Sequence, residues 1–279
     1  HVNCESEFPN YTNMRNCKKF LFIILLSFFA INCSGKRQST TENNAEIENW
    51  VNLFNGVDLD NWEVKIKGHP LGENWNQTFI VVDSAIRVDY SNYKTFDSSF
   101  GHLFYKVPFN NYKFKISYRF LGEQLEGGEN WALRNSGVMI HCQSPGSMKL
   151  DQDFPVCIEV QLLGGISEKK SRSTANLCTP GTHVTINDQL VTDHCKVSNS
   201  DTFYGEQWVN LEIEVRNDSL IRHYINGKKV MEYRLPVIGG EYNTIEKTDG
   251  TPVNKGFIAL QSESHPVEFK NIMLLDLNQ

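Results

Sequence analysis

Two halves of one stretch decide the fold: N-S-G-V-M-I-H-C-Q at Asn135–Gln143 and, after a loop, F-P-V-C-I-E-V-Q-L-L-G-G at Phe154–Gly165. Polar residues alternate with aliphatic ones in both halves, and a β-strand sends successive side chains to opposite faces. In the second half Ile158, Val160 and Leu162 point one way, into a core, while Glu159 and Gln161 point the other way. In the first half Val138 and Ile140 share one face; Asn135, Gly137, Met139 and His141 share the opposite one. The pair therefore presents carboxylate, amide and imidazole groups on one face, with glycine where a ligand can approach the backbone. That composition suits a sugar-binding or catalytic groove. The competing reading is a polar outer face with no task.

Working outward, the same alternation recurs at Phe79–Val82, Ala85–Val88, His102–Val107, Lys113–Phe120, Trp208–Val215, Leu220–Ile225, Lys228–Arg234, Gly256–Ser262 and Val267–Leu275. These segments are short and rich in Val, Ile, Phe and Tyr. Asn217-Asp218 and Asn226-Gly227 read as hairpin turns. No segment sustains a helical period, and Thr40–Trp50 can form one short helix at most. Many antiparallel strands, each with one dry face, must pack as two sheets or close into a barrel. The expectation is an all-β, two-sheet jelly-roll sandwich over residues 48–279.

Residues 1–33 read differently. Met14 opens a basic segment (Arg15, Lys18, Lys19) followed by an unbroken apolar run, Phe20–Ile31. That run is too short for a membrane-spanning helix. A basic n-region and a short apolar h-region describe an export signal. Cys33, Ser34 and Gly35 follow, which resembles a bacterial lipoprotein signal with Cys33 lipidated, although Asn32 stands where a small residue is usual. Residues 34–47 then form a polar tether. The expected location is the periplasm or the outer membrane, with membrane contact through the N-terminal lipid only. A net charge of −6 leaves no footprint for nucleic acid.

An exported chain can oxidise its cysteines. Cys178 and Cys195 bracket a long loop, and a bridge between them would contribute about 3 kcal/mol in the chain-entropy model. Cys142 and Cys157 end and begin neighbouring strands and form a second possible pair. The spacing of Cys178, His183, His194 and Cys195 matches no zinc template well.

Several motifs together resemble one family: L-F-N-G-V-D-L-D-N-W at Leu53–Trp62, N-S-G-V-M-I-H at Asn135–His141, I-E-V-Q-L-L-G-G at Ile158–Gly165, W-V-N-L-E-I-E-V at Trp208–Val215, Y-I-N-G-K-K-V at Tyr224–Val230, and the run Gly256–Ile272. In order and joint presence these are similar to the 3-keto-disaccharide hydrolase family. The resemblance implies a concanavalin-like jelly roll and cleavage of a glycoside already oxidised to a ketone at C3. A C3 carbonyl acidifies the C2 proton; a base removes it, the enolate expels the C1 oxygen, and water adds back. Such a site needs a base near C2, a hydrogen-bonding or cationic group for the enolate oxygen, and a proton donor for the leaving oxygen.

Candidates for those roles follow. Glu159 suits the base or a metal ligand, and His141 the acid or base. Arg119 lies on a strand whose Phe114, Ile116, Tyr118 and Phe120 face the core, so it is expected to face the groove with Lys115 and to stabilise the enolate or hold a hydroxyl. Asn135, Gln161, Gln261 and Glu263 are expected to meet sugar hydroxyls, with His265 beyond them and His183 and His194 at a rim. Trp131 and Trp75, in polar loops, can stack on sugar faces, whereas Trp62 and Trp208 read as core. No cofactor is certain; a divalent cation on Glu159, His141 and His194 is a possibility. The expected partner is an oligosaccharide or glycoside. Two alternatives compete: a non-catalytic glycan-binding lipoprotein, and an ordinary endo-glucanase using the pair Glu159 and Glu263.

Overall fold

The alternating segments all fold as strands. A computed structural model describes residues 48–240 and 242–278. Its strands are β1 (Val51–Asn52), β2 (Trp62–Ile66), β3 (Phe79–Val82), β4 (Ala85–Val88), β5 (Gly101–Tyr105) and β6 (Asn111–Phe120). There follow β7 (Asn135–Cys142), β8 (Ile158–Leu163), β9 (Asn176–Cys178), β10 (Thr182–Ile186), β11 (Gln189–Val191) and β12 (Cys195–Lys196). The last are β13 (Val209–Arg216), β14 (Leu220–Ile225), β15 (Lys228–Ile238), β16 (Phe257–Ser262) and β17 (Val267–Asp276). One sheet runs β11-β10-β15-β14-β13-β6-β17-β4-β3, with β1 added to β17; the other runs β12-β9-β8-β7-β16-β5-β2. The strand pairs are antiparallel throughout, and the architecture is a jelly-roll sandwich.

The core lies between the sheets. Val138, Ile140, Ile158, Val160, Leu162 and Leu260 from the seven-stranded sheet meet Phe114, Ile116, Tyr118, Phe120 and Phe269 from the ten-stranded one. Each such side chain contributes roughly 1.5–3 kcal/mol of burial. Trp62 joins this core and donates its indole N–H to the Leu53 carbonyl at 3.1 Å. Trp208 does not. It is half-buried on the outer face of the ten-stranded sheet, with Lys270 and Arg119 over its ring at 3.9 and 4.6 Å.

Two departures from regular pairing matter for the site. Phe257 pairs with Cys142 but Ala259 pairs with Met139, so β7 carries one extra residue between Met139 and Cys142. His141 adopts φ 51° there, the left-handed conformation of a bulge. Gly256 passes so close that an added Cβ would lie 2.3 Å from the His141 carbonyl carbon. The turn Asn226-Gly227 has φ 48° and 80°, the positive values of a tight two-residue hairpin.

Among the described residues no helix is long and apolar enough to cross a membrane. The signal, Cys33, the tether to residue 47 and most of Thr40–Trp50, where one short helix at most was allowed, lie outside the described residues.

Candidate active site

Strands β8, β7 and β16 are neighbours in the middle of the seven-stranded sheet, and their outward side chains build the site. Glu159 pairs across from Met139, and Gln161 from Gly137. Gln261 pairs across from His102 on the other side of β16. Gly137 is the decisive small residue. A Cβ there would sit 2.7 Å from Glu159 Oε1, so the carboxyl occupies the space a side chain would fill. Glu159 therefore leans across β7 towards the residues of β16.

Loops wall this patch into a cleft of about 380 Å³. Asn135, Glu159, Gln161 and Glu263 supply its polar lining; Trp131, Phe154, Tyr242 and His194 stand around it. Trp131, 51% exposed, stacks on Phe100 at 6.2 Å, and Phe154 packs on Phe100 at 4.9 Å. Tyr242 lies 5.0 Å from the His194 ring. Aromatic faces beside buried amides and carboxyls are what a sugar ring needs, apolar on its C–H faces and polar at its edge. Cys178 and Cys195 form a disulfide between paired positions of β9 and β12, at the wall of the cleft. It closes the loop that carries His194. Cys142 and Cys157, the second pair considered, are free and buried.

The electrostatics single out two carboxyls. Burial alone pushes Glu159 up to about 8 from an ordinary 4.5. Burial, and then the neighbouring Glu159 charge, hold Glu263 well above the usual carboxylate range, while Arg172 pulls it back. Two carboxyls in one dry site cannot both ionise cheaply. At neutral pH the pair keeps protons that exposed carboxylates would have lost. Gln261 Nε2 donates to Glu263 Oε1 at 3.3 Å, whereas Glu263 Oε2 has no partner. Gln261 Oε1 and Asn135 Oδ1 are likewise buried and unpartnered. Gln261 is not among the cleft-lining residues, but Asn135 and Glu263 are, and because buried polar atoms are nearly always paired, their two orphaned oxygens mark a place suited to a polar ligand. Gln161 differs: its Oε1 accepts from Asn176 Nδ2 at 3.2 Å, which leaves its own N–H groups to donate.

Two expected catalytic residues are elsewhere. His141 lies at the bulge, which breaks the alternation that would have placed it beside Glu159. Its Nε2 meets the Asn217 carbonyl at 3.0 Å, in the β13–β14 turn of the other sheet, and burial lowers its pKa. Arg119 obeys its alternation but belongs to the ten-stranded sheet. There Nε and Nη2 donate to Glu268 Oε2 at 2.8 and 2.7 Å, and Glu268 also holds Arg87. Arg119 faces away from the sandwich on the opposite side of the molecule's core from Glu159. The proposed cation trio loses His141 in the same way, and among the described residues no three His, Cys, Asp or Glu side chains gather to hold a metal. Trp75 stacks on His69 at 4.2 Å and does not line the cleft. His183 borders an adjoining cavity of about 250 Å³ that shares His194 and Tyr242 with the cleft. His265 is buried beside Phe120, its pKa lowered to about 4 by burial and by Arg134 and Arg172.

Sequence reasoning missed Phe154 and Tyr242, which sit in loops with no period, and it missed Arg172. A larger depression of about 560 Å³ lies on the outer face of the ten-stranded sheet. Its polar groups satisfy one another: Ser117 Oγ donates to Asn210 Oδ1 at 2.7 Å and accepts from Asn271 Nδ2 at 3.1 Å. It holds no buried carboxyl pair, unlike the smaller cleft.

A jelly roll with a buried carboxyl pair under an aromatic rim defines a carbohydrate-active class of protein. The chain belongs to the 3-keto-alpha-glucoside-1,2-lyase-like domain family, whose model matches residues 49–275. No curated protein matches it. Among solved structures it is similar to a candidate glycosyl hydrolase from Parabacteroides distasonis ATCC 8503, at 17% identity and TM-score 0.49, covering 82% of this chain and 100% of that one. It is also similar to a protein with a galectin-like fold from Bacillus subtilis, at 10% identity and TM-score 0.44, over 82% and 94% of the two chains. A Bacillus subtilis carbohydrate-binding module matches at 8% identity and TM-score 0.37, over 63% and 82%.

Proposed function

We propose that this protein cleaves glycosides already oxidised to a ketone at C3. The observation that carries the reading is the buried carboxyl pair Glu159 and Glu263, both held above the usual carboxylate range by burial, Glu159 up to about 8. Glu159, the group at about 8, ionises first and takes the C2 proton. The C–H electron pair moves into the enolate, whose oxygen accepts from the Gln161 amide. The enolate then expels the C1 oxygen, which takes the proton of Glu263. Water adding across the resulting double bond reverses both transfers: Glu159 returns its proton to C2, and Glu263 accepts one from the water. The net result is hydrolysis. Trp131 and Tyr242 supply stacking faces for the sugar. From the N-terminal signal we place the protein in the periplasm or on the outer membrane, anchored by lipid on Cys33.

The same carboxyl pair also suits ordinary hydrolysis through an oxocarbenium ion, in which two carboxyls flank the bond. Incubating the purified protein with a glucoside and with its 3-keto derivative separates these readings. Turnover of the keto-sugar alone, with a 2-hydroxy-enone or free keto-sugar seen by mass spectrometry, supports elimination. Equal turnover of the unoxidised glucoside supports the oxocarbenium route. Binding without turnover of either points to a glycan-binding protein.

A further inference from the structure

Two side cavities open from the cleft, and the cleavage proposed above uses neither. The first, of about 250 Å³, lies past His194 and Tyr242, and its lining includes Thr179, Thr182, His183 and Thr192. The second, of about 380 Å³, lies past Phe154 and Tyr242, and its lining includes Leu150, Asp151, Gln152 and Thr244. Tyr242 thus borders the cleft and both side cavities. Its carbonyl is set against Gly181, where an added Cβ would lie 2.8 Å from it.

Strand order puts the two cavities on opposite sides of β8, β7 and β16. Thr179 follows β9, and its N–H donates to the carbonyl of His194, just before β12, at 2.9 Å. The first cavity therefore lies towards the β12 edge of the seven-stranded sheet. The β7–β8 loop that forms the second reaches the other edge. Its Leu150 carbonyl accepts from Lys65 Nζ on β2 at 2.9 Å and from the Gly68 N–H at 2.8 Å, and Asp153 pairs with Lys67 at 2.6 Å. Five strand spacings separate β9 from β2, roughly 24 Å at about 4.8 Å each, several times the width of one sugar ring. Each compartment also holds a buried polar atom with no hydrogen-bond partner among the described residues. These are His183 Nδ1 in the first cavity, Asn135 Oδ1 and Glu263 Oε2 in the cleft, and Thr244 Oγ1 in the second cavity. A single ring in the cleft would leave the outer two unsatisfied, whereas a chain of hydroxyl-bearing rings can reach all three places.

We infer that the cleft is the central compartment of a groove that runs across the strands and takes a saccharide of at least three units. The unit to be cleaved sits over Glu159 and Glu263, its neighbours fill the side cavities, and Tyr242 is the shared wall. This groove presupposes the keto-sugar reading of the cleft and adds to it a demand on linkage. The central ring is then an internal unit of the chain. An internal unit of a 1,3-linked chain has its 3-oxygen in a glycosidic bond and cannot carry a ketone at C3. A chain joined through O4 or O6 leaves that position free. The substrate class is therefore a 1,4- or 1,6-linked oligosaccharide already oxidised at an internal unit.

Calorimetric titration tests this on the full chain carrying Glu159→Gln, which keeps the ligands intact. The probes are glucose oligomers of one to five units in α-1,4, α-1,6 and β-1,4 linkage. In at least one series Kd should fall by about tenfold from two units to three and by less than about twofold beyond four. His183→Phe and Thr244→Val keep the shape of each side cavity and remove its unpartnered polar atom. Each should weaken trisaccharide binding by roughly threefold to tenfold and monosaccharide binding by less than about twofold, with melting curves showing that both variants fold. A Kd independent of length in every series, no measurable binding, or a length gain that both variants keep overturns the inference. Turnover separates it from the reading beneath it. Length-dependent binding without turnover of any 3-keto-glycoside leaves the groove standing and refutes the cleavage. Turnover of a 3-keto-disaccharide as fast as that of a trisaccharide oxidised at its middle unit refutes the groove alone.

Discussion

Glu159→Gln should make the protein more stable at neutral pH while sharply lowering turnover. The folded state holds the Glu159 proton up to about pH 8, whereas the unfolded chain releases it near 4.5. Between those values the folded state binds more protons than the unfolded state, so stability falls as pH rises through that window. Each pKa unit corresponds to about 1.4 kcal/mol, and the part of the window below pH 7 amounts to roughly 3 kcal/mol. Glutamine keeps the shape, cannot ionise and removes that penalty. In a domain of this size roughly 3 kcal/mol corresponds to about 6–12 °C in Tm. Melting curves of both proteins between pH 4 and 8.5 test this. The curves should converge near pH 4 and separate above pH 5, with the variant higher. A variant that melts lower at pH 7–8, or a gap that does not change with pH, would refute the burial argument for Glu159. Loss of a general base costs a factor of ~10²–10⁴ in rate, so the same substitution should cut turnover of a 3-keto-glycoside by at least that order. On the proposed mechanism, the stability lost here keeps a proton-transferring group dry, the usual trade between stability and activity.

Three further outcomes are expected. Gly137→Ala should fold, because the nearest atoms to the Cβ are Oε1, Cγ and Cδ of the Glu159 side chain and not backbone, but displacing that carboxyl should lower kcat by ~10²-fold; a kinetically normal variant would mean the carboxyl position is unimportant. Arg119→Gln should keep turnover within about twofold of wild type and lower stability by roughly 1 kcal/mol, since Arg87 still holds Glu268; a large loss of turnover would return Arg119 to the active site. Cys33→Ala should move the protein from the membrane to the soluble fraction or leave its signal uncleaved, and normal processing with persistent membrane association would remove the lipid anchor from the proposal.

The sandwich was legible because alternation reports the in–out sense of each strand, and the long strands are regular. Ile158, Val160 and Leu162 are core, and Glu159 and Gln161 line the cleft, as their spacing requires. The short strands β9 to β12 were not legible, since two to five residues show little period. The in–out sense also says nothing about which sheet a strand joins. Arg119 and Glu159 both face outward, yet β6 and β8 belong to different sheets, so their side chains leave the molecule on opposite sides. Only the pairing of distant segments decides that, and pairing is not written locally.

The failure at His141 has another cause, and it bears on how this site works. One extra residue reverses every side chain beyond it. Val138 and Met139 keep the expected faces; past the bulge, Cys142 joins Met139, Phe104 and Ala259 in an apolar cluster on the cleft side of the sheet, and His141 turns to the Asn217 carbonyl. Glu159 thus pairs across from Met139, leans over Gly137 and has no imidazole beside it in the register. A cationic partner beside a carboxylate lowers its pKa. Apolar neighbours do the opposite and leave burial uncompensated, which is why Glu159 reaches about 8. The bulge that defeats the sequence reading therefore leaves Glu159 without the imidazole that the alternation would have put on its face, and burial alone sets its pKa.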